Sequence, residues 1–248
     1  MIFVFDLDGT ICFQGEPLDE QIVQALHSLT KQQHEIIFAS ARPIRDMLPV
    51  LPKSLHGCRM IGSNGAFTYV DGLIEVEFLH ETIQSQIIEL VDQFDLAYLA
   101  DSDWDYAYTG SKNHPMYKGI DSHNKARQRS INELAGFSKV LLFNPPTKIV
   151  QHVKNWPVTT FEYTEEKILD ICSPNLNKVK GLERLGVKNY IAFGNDVNDR
   201  LMFEQATHSV CVGMHSVGEV ATERIAQSDV HMKIKELGQK WSNVNRPK

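Results

Sequence analysis

The sequence has few cysteines and no long apolar run. Its four cysteines lie far apart and form neither a Cys-x-x-Cys pair nor a group with histidine at zinc spacing, so we expect reduced, buried thiols and no zinc site. No apolar run approaches the roughly 20 residues that a membrane-spanning helix needs. Residues 1–5 lack the basic start and the long apolar stretch of a signal peptide. We therefore expect a cytoplasmic protein without a membrane partner.

An excess of positive charge is also missing. The chain of 248 residues carries a formal net charge of -6, whereas proteins that bind nucleic acid usually present a broad basic surface. Nucleic acid is therefore not expected as a main partner, although a few local cations can still hold a small anion. Hydrophobic residues make up 42% of the chain, which suits one large domain or a core with a smaller insertion.

Short apolar segments alternate with segments of helical period at both ends of the chain. This order is typical of βαβ units and predicts one doubly wound, parallel, Rossmann-like α/β core from residues 1–79 and 173–248. Between residues 80 and 172, aromatic polar stretches and short strands accompany a helix at 81–94. This segment predicts an inserted α+β domain. Shorter helices are predicted at 44–51 and 130–134.

A pair of carboxylates follows the first apolar segment. Asp6 and Asp8 stand two residues apart before Gly9, so in extended backbone both can face the space beyond the strand, where open α/β sheets bind ligands. Two like charges about 4 Å apart repel by roughly 4 kcal/mol at an effective dielectric near 20. A hard cation would relieve that repulsion, and oxygen ligands favour Mg²⁺. The alternative is an ordinary Asp-x-Asp-Gly turn that closes a strand.

Three further polar stretches follow along the chain. They are EIIFASARP at 35–43, SPNLNKVKG at 173–181 and FGNDVNDRLMF at 193–203. Each also has an ordinary structural interpretation, because serine, asparagine and aspartate cap helices and most lysines are solvated at the surface. Ser40 is as well suited to capping the next helix as to binding a ligand.

Together with DLDGT after the first apolar segment, these stretches resemble, in order, the four motifs of the haloacid dehalogenase superfamily. The resemblance implies a phosphatase in which Asp6 is the nucleophile and forms an aspartyl phosphate. It implies that Asp8 is first the acid and then the base. Ser40 would hydrogen-bond the phosphoryl group, and Lys178 would neutralise its oxygens, with Lys180 as a weaker candidate.

The fourth stretch departs from the family's pattern at Asn195, where the family usually has a metal-binding aspartate. Either the amide oxygen of Asn195 binds Mg²⁺ or the role shifts to Asp196. The resemblance places Asn198 near the phosphoryl group and Asp199 near the metal or the lysine. Arg42 either contacts the substrate or forms a surface salt bridge. The implied ligands of Mg²⁺ are Asp6, the backbone carbonyl of Asp8, Asn195 and Asp199.

The segment IGSNGAFTYVDG at 61–72 resembles the one that precedes the cap in Cof-type sugar phosphatases of this superfamily. This implies a type IIB cap of α+β character, hinged near His80 and Cys172, which excludes water and selects the leaving group. The implied function is Mg²⁺-dependent hydrolysis of small phosphorylated metabolites, above all sugar phosphates. The alternatives are a phosphomutase with the same intermediate and a ligand-binding relative without catalysis, for which Asn195 is the main support.

Overall fold

The computed structural model describes residues 1–244. The strands are β1 (Ile2–Phe5), β2 (Glu35–Ala39), β3 (Arg59–Gly62), β4 (Phe67–Val70), β5 (Leu73–Val76), β6 (Ala97–Asp101), β7 (Tyr106–Tyr108), β8 (Lys139–Phe143), β9 (Thr159–Tyr163), β10 (Ile168–Cys172), β11 (Tyr190–Gly194), β12 (His208–Val212) and β13 (Glu223–Ile225). The helices are α1 (Glu20–Lys31), α2 (Ile44–Met47), α3 (Glu81–Phe94), α4 (Thr147–Val153), α5 (Lys178–Arg184), α6 (Arg200–Gln205) and α7 (Val230–Val244).

The chain divides into two units. The core unit comprises Met1–Leu73 together with the chain from Asn177 onward, and the inserted unit comprises Ile74–Leu176. The predicted ends of the insertion, at 80 and 172, lie inside the second unit. Within the described residues, no helix is long and apolar enough to cross a membrane.

The core unit is built on a sheet with the order β13-β12-β11-β1-β2-β3-β4-β5. The strands from β13 to β3 are parallel, and β4 runs antiparallel to β3. In the middle, Phe5 at the end of β1 lies opposite Phe193 on one side and Phe38 on the other. The carboxyl ends of β1, β2 and β11 are therefore neighbours, and the predicted α/β core is confirmed.

Helices pack on the core sheet, where successive side chains of a strand point to opposite faces. Val4 belongs to an apolar cluster with buried residues of α5 and α6, such as Leu182 and Phe203, whereas Phe3 stacks with Phe5 because residues two apart share a face. The helix predicted at 44–51 is wrong in length. It ends at Met47, because the proline at position 49 has no N–H to continue the helical hydrogen bonds.

The inserted unit has a five-stranded antiparallel sheet with the order β7-β6-β8-β10-β9. Helices α3 and α4 contribute buried side chains, among them Ile87 and Ile149, to an apolar cluster with β8 and β10. The helix predicted at 81–94 is present as α3. The one predicted at 130–134 is only a 3₁₀ turn, Ile131–Glu133. This unit accounts for the predicted α+β insertion.

Candidate active site

Asp6, the residue that follows β1, has a buried carboxylate with a partner on each oxygen. Its Oδ1 accepts a hydrogen bond of 2.6 Å from Lys178 Nζ, and its Oδ2 accepts one of 2.8 Å from the hydroxyl of Thr10. Burial raises the pKa of Asp6 to about 7, and Lys178 and Thr10 oppose this rise. Thr10 was not predicted as a site residue, although it belongs to the DLDGT stretch.

Lys178, the first residue of α5, has an ammonium group that is fully buried between two carboxylates. Its Nζ lies 2.6 Å from Asp6 Oδ1 and 2.6 Å from Asp199 Oδ1. Burial would lower the pKa of this lysine, but the carboxylates of Asp199 and Asp6 together raise it above the ordinary value. The helix starts here because Asn177 caps it, its Oδ1 accepting from the backbone N–H of Lys180 at 3.0 Å. Lys180 itself is exposed and pairs with Glu183 at 3.4 Å.

Asp199 is buried and has both carboxylate oxygens occupied. Its Oδ1 pairs with Lys178, and its Oδ2 accepts the backbone N–H groups of Asn195 at 2.8 Å and Asp196 at 3.1 Å. A Cβ at Gly194 would lie 2.5 Å from the Asp199 carboxyl carbon, so the glycine permits this close approach. The metal-ligand role predicted for Asp199 has no support in this geometry. The arrangement instead suits orientation of Lys178 and of the loop after β11.

Oxygen atoms converge around the side chain of Asn195. The amide end that faces Asp8 lies 3.0 Å from its backbone oxygen, 3.1 Å from Asp6 Oδ2 and 3.1 Å from Thr10 Oγ1. Gly9 leaves room for this amide, because a Cβ there would collide with it. Asp196 turns its Oδ1 elsewhere, to the N–H of Val197 at 2.6 Å and to His215 Nε2 at 3.4 Å.

The same group of atoms fits a magnesium ion. Oxygens that surround Mg²⁺ octahedrally at about 2.1 Å lie about 3 Å apart, which is the spacing found between Asn195 and its neighbours. Among residues 1–244, no group of three or more His, Cys, Asp or Glu side chains is placed to hold a metal. A cation here would therefore depend on Asp6, the Asp8 carbonyl and the Asn195 amide oxygen.

Asp8 has a partly exposed carboxylate that is held by Arg42. Arg42 Nη2 lies 2.5 Å from Asp8 Oδ1, and Arg42 Nε lies 2.8 Å from Asp8 Oδ2. Of the two interpretations of Arg42, the structure shows the salt bridge. Asp8 thus pairs with Arg42, whereas Asp6 shares Lys178 with Asp199, so protein cations offset part of the predicted repulsion between Asp6 and Asp8.

Two further polar residues, Ser40 and Asn198, lie in the segments that follow β2 and β11. Ser40 is buried, and its Oγ accepts the backbone N–H of Arg42 at 3.1 Å, so its own hydroxyl proton can still be donated. It does not cap α2, whose N-cap is Pro43. Asn198 donates from Nδ2 to Asn64 Oδ1 at 3.3 Å, and its buried Oδ1 has no partner among the described residues.

The loop after β3 also belongs to this region and was not predicted to contribute. Asn64 donates its backbone N–H to the carbonyl of Ser40 at 3.0 Å. Both Ser63 and Asn64 have positive φ angles, 45° and 53°, which favour asparagine and glycine over most residues. In the sequence, the Ser-Asn-Gly tripeptide was the feature that could have indicated this loop.

Asp6, Lys178, Asp199 and Asn195 are thus in direct contact with one another or with a shared partner, and Asn64 links Ser40 with Asn198. Lys180 is exposed, and the side chain of Asp196 is turned to other partners.

Comparisons with known proteins identify a family and a fold. Residues 3–229 match the family described as haloacid dehalogenase-like hydrolase. A structure from Thermotoga maritima has a TM-score of 0.76 at 22% identity, covering 96% of each chain. A protein from Geobacillus kaustophilus has a TM-score of 0.79 at 18% identity, covering 97% of this chain and 98% of its own.

A third solved structure is described as a sugar phosphatase of subclass IIB. It has a TM-score of 0.76 at 17% identity, and the match covers 96% of this chain and 98% of that one. At these identities the likeness concerns the fold, and it includes the insertion. The sequence matches no curated protein.

Proposed function

The chain belongs to the haloacid dehalogenase-like hydrolases, and from this premise we propose that it is a Mg²⁺-dependent phosphomonoester hydrolase that works through an aspartyl phosphate. One observation carries the proposal. The carboxylate of Asp6 is buried at the carboxyl end of β1 with Lys178 on one oxygen and Thr10 on the other. Such a fixed, partly neutralised carboxylate is suited to attack an anionic phosphoryl group.

The proposed reaction has two displacements. In the first, an oxygen of Asp6 bonds to phosphorus while the bond from phosphorus to the ester oxygen breaks. Asp8 enters this step in its protonated form, gives the ester oxygen its proton, and becomes the carboxylate that Arg42 holds. In the second, Asp8 takes a proton from water, whose oxygen attacks phosphorus and releases Asp6. The side chain of Asp8 is 46% exposed, which leaves it accessible to a leaving group and to water.

Lys178, Ser40 and Asn198 are proposed to hold the phosphoryl oxygens. Lys178 brings a positive charge, Ser40 a hydroxyl proton, and Asn198 an amide group next to Asn64. Mg²⁺ would be held by Asp6 Oδ2, the Asp8 carbonyl and the Asn195 amide oxygen. When bound, the ion supplies positive charge that offsets the negative charge of the phosphoryl group.

The proposed substrates are small phosphorylated metabolites, with sugar phosphates first. One solved structure with this fold is described as a sugar phosphatase, and that likeness supports the extension to sugar phosphates. The predicted insertion at 80–172, which lies within the inserted unit, is the part in which we expect the groups that select the leaving group.

Substitution of the nucleophile tests the proposal directly. Asp6→Asn should abolish the Mg²⁺-dependent release of phosphate from p-nitrophenyl phosphate, because the amide cannot form the acyl phosphate. Asp92→Asn, the same change at an exposed position in α3, should leave the rate unchanged. Turnover retained in Asp6→Asn would sink the nucleophile assignment. Release of an isomerised sugar phosphate in place of free phosphate would identify a mutase.

A further inference from the structure

The amide of Asn195 has two chemically different ends that can face the same three oxygens. With its nitrogen turned towards them, it donates to the Asp8 carbonyl at 3.0 Å and to Asp6 Oδ2 and Thr10 Oγ1 at 3.1 Å. With its oxygen turned towards them, it lies 3.1 Å from Thr10 Oγ1, whose one proton it shares with Asp6 Oδ2 at 2.8 Å, and it faces the other two oxygens without a proton between. The orientation with the amide oxygen inward therefore needs a cation between the oxygens. With the nitrogen inward, the amide N–H groups hydrogen-bond these oxygens and no cation is needed.

A carboxylate at position 195 would lack this choice, because an ionised aspartate only accepts hydrogen bonds. The formal charges also differ. The side chains of Asp6, Asp199 and Lys178 form one buried cluster. Its formal charges sum to -1, and Asn195 adds no charge. A divalent cation beside this cluster leaves a net charge of one positive unit. An aspartate at 195 would cancel that charge, whereas with Asn195 it remains and can be neutralised by an anion.

We propose that Asn195 makes Mg²⁺ binding conditional on a phosphoryl group. Without a ligand, the amide nitrogen occupies the three-oxygen group, so Mg²⁺ must displace it and binds weakly. A phosphoryl dianion supplies the missing negative charge and favours the orientation with the amide oxygen inward. This inference rests on the proposed function, because it takes the phosphoryl site to lie beside Asp6.

The proposal requires a reciprocal effect between the two ligands. If phosphate tightens the binding of Mg²⁺ by some factor, Mg²⁺ must tighten the binding of phosphate by the same factor. Couplings of this kind usually amount to roughly 5- to 150-fold in affinity. The site would thus bind metal more weakly before its substrate arrives, even though Asp6 and Lys178 are already in place.

Calorimetric titration of the full chain tests this without turnover. Mg²⁺ is titrated into the protein alone and into the protein saturated with inorganic phosphate, and phosphate is titrated with and without Mg²⁺. We expect phosphate to tighten Mg²⁺ binding at least about fivefold. Equal Mg²⁺ affinity with and without phosphate would overturn the proposal.

Asn195→Asp should separate the two contributions. It should bind Mg²⁺ about tenfold more tightly or better in the absence of phosphate, show a smaller phosphate effect, and melt at a lower temperature when free of metal. Asn189→Asp is the matched control, because the same change is made at an exposed residue before the opposite end of β11, and it should behave as wild type. Unchanged Mg²⁺ affinity in Asn195→Asp would contradict the proposal.

A second variant separates this proposal from the function on which it rests. Asp196→Asn should change Mg²⁺ affinity little, because Asp196 is turned to Val197 and His215, and loss of binding there would make Asp196 the ligand and overturn the role of Asn195. If p-nitrophenyl phosphate is hydrolysed but phosphate and Mg²⁺ bind independently, only the present proposal fails. If neither hydrolysis nor phosphate binding occurs, the proposed function fails.

Discussion

Each unit of the protein contains a buried lysine with aspartates around it, and the two clusters differ in what surrounds them. In the core unit, Lys178 lies 2.6 Å from both Asp6 and Asp199. In the inserted unit, Lys139 lies 3.1 Å from Asp170, and Asp101 stands opposite it in the register of β6 and β8. In both clusters burial would lower the pKa of the lysine, and the carboxylates raise it instead.

The difference lies in position and in hydrogen bonding. Lys139 and Asp170 are in the middle of an antiparallel sheet, and Asp170 Oδ1 is buried without a partner in the described residues. Lys178 begins a helix beside the carboxyl ends of parallel strands, and both oxygens of Asp199 are bonded. Under the proposed function, the place of a buried charge at the strand ends is therefore a stronger indicator of a catalytic site than its burial.

The largest effect that would test this comparison is the loss of Lys178. Lys178→Met should lower kcat for p-nitrophenyl phosphate by roughly 10²- to 10³-fold or more, because a fixed positive charge at the reacting group is removed. Lys180→Met changes an exposed lysine two residues away and should have no effect. A comparable loss in both variants would remove the distinction between these lysines.

The corresponding change in the inserted unit should affect stability instead of rate. Lys139→Met leaves the buried carboxylate of Asp170 without its cation, so the free energy of unfolding should fall by about 3–5 kcal/mol. Urea denaturation measures this, and kcat of the folded protein should stay near wild type. The double variant Lys139→Met with Asp170→Leu should recover most of the stability. A fall in kcat equal to that of Lys178→Met would make the second cluster catalytic as well.

A smaller effect should appear in the pH dependence. Burial raises the pKa of both Asp6 and Asp170, but only Asp6 must be ionised to attack phosphorus. Below the pKa of about 7 for Asp6, kcat/KM should fall about tenfold per pH unit. Raising Mg²⁺ should move this limb to lower pH, because a cation beside a carboxylate favours its ionised form. If the fall of kcat/KM at low pH did not depend on Mg²⁺, that fall would be due to the ionisation of a group other than Asp6.

Much of this arrangement could be predicted from the order of motifs along the sequence. Parallel strands bring their carboxyl ends together, so polar residues after β1, β2 and β11 were expected to meet. The partners of the charges could not be predicted, since they depend on side-chain direction. Asp199 was expected near the metal or the lysine, and the structure shows it bonded to Lys178 and to two backbone amides. For Arg42 the sequence left two interpretations; the structure shows a salt bridge to Asp8, and contact with the substrate stays a prediction.

One set of contacts in the core unit bears on how this protein could be altered. Arg184 in α5 donates to the carbonyls of Gly65 at 3.1 Å and Ala66 at 3.0 Å, and Gly65 lies directly against the backbone of Asn177. The chain segments before and after the insertion therefore contact each other within the core unit. Grafting a different insertion at the same two points is therefore expected to keep the core sheet and, under the proposed function, to change the leaving group that is accepted.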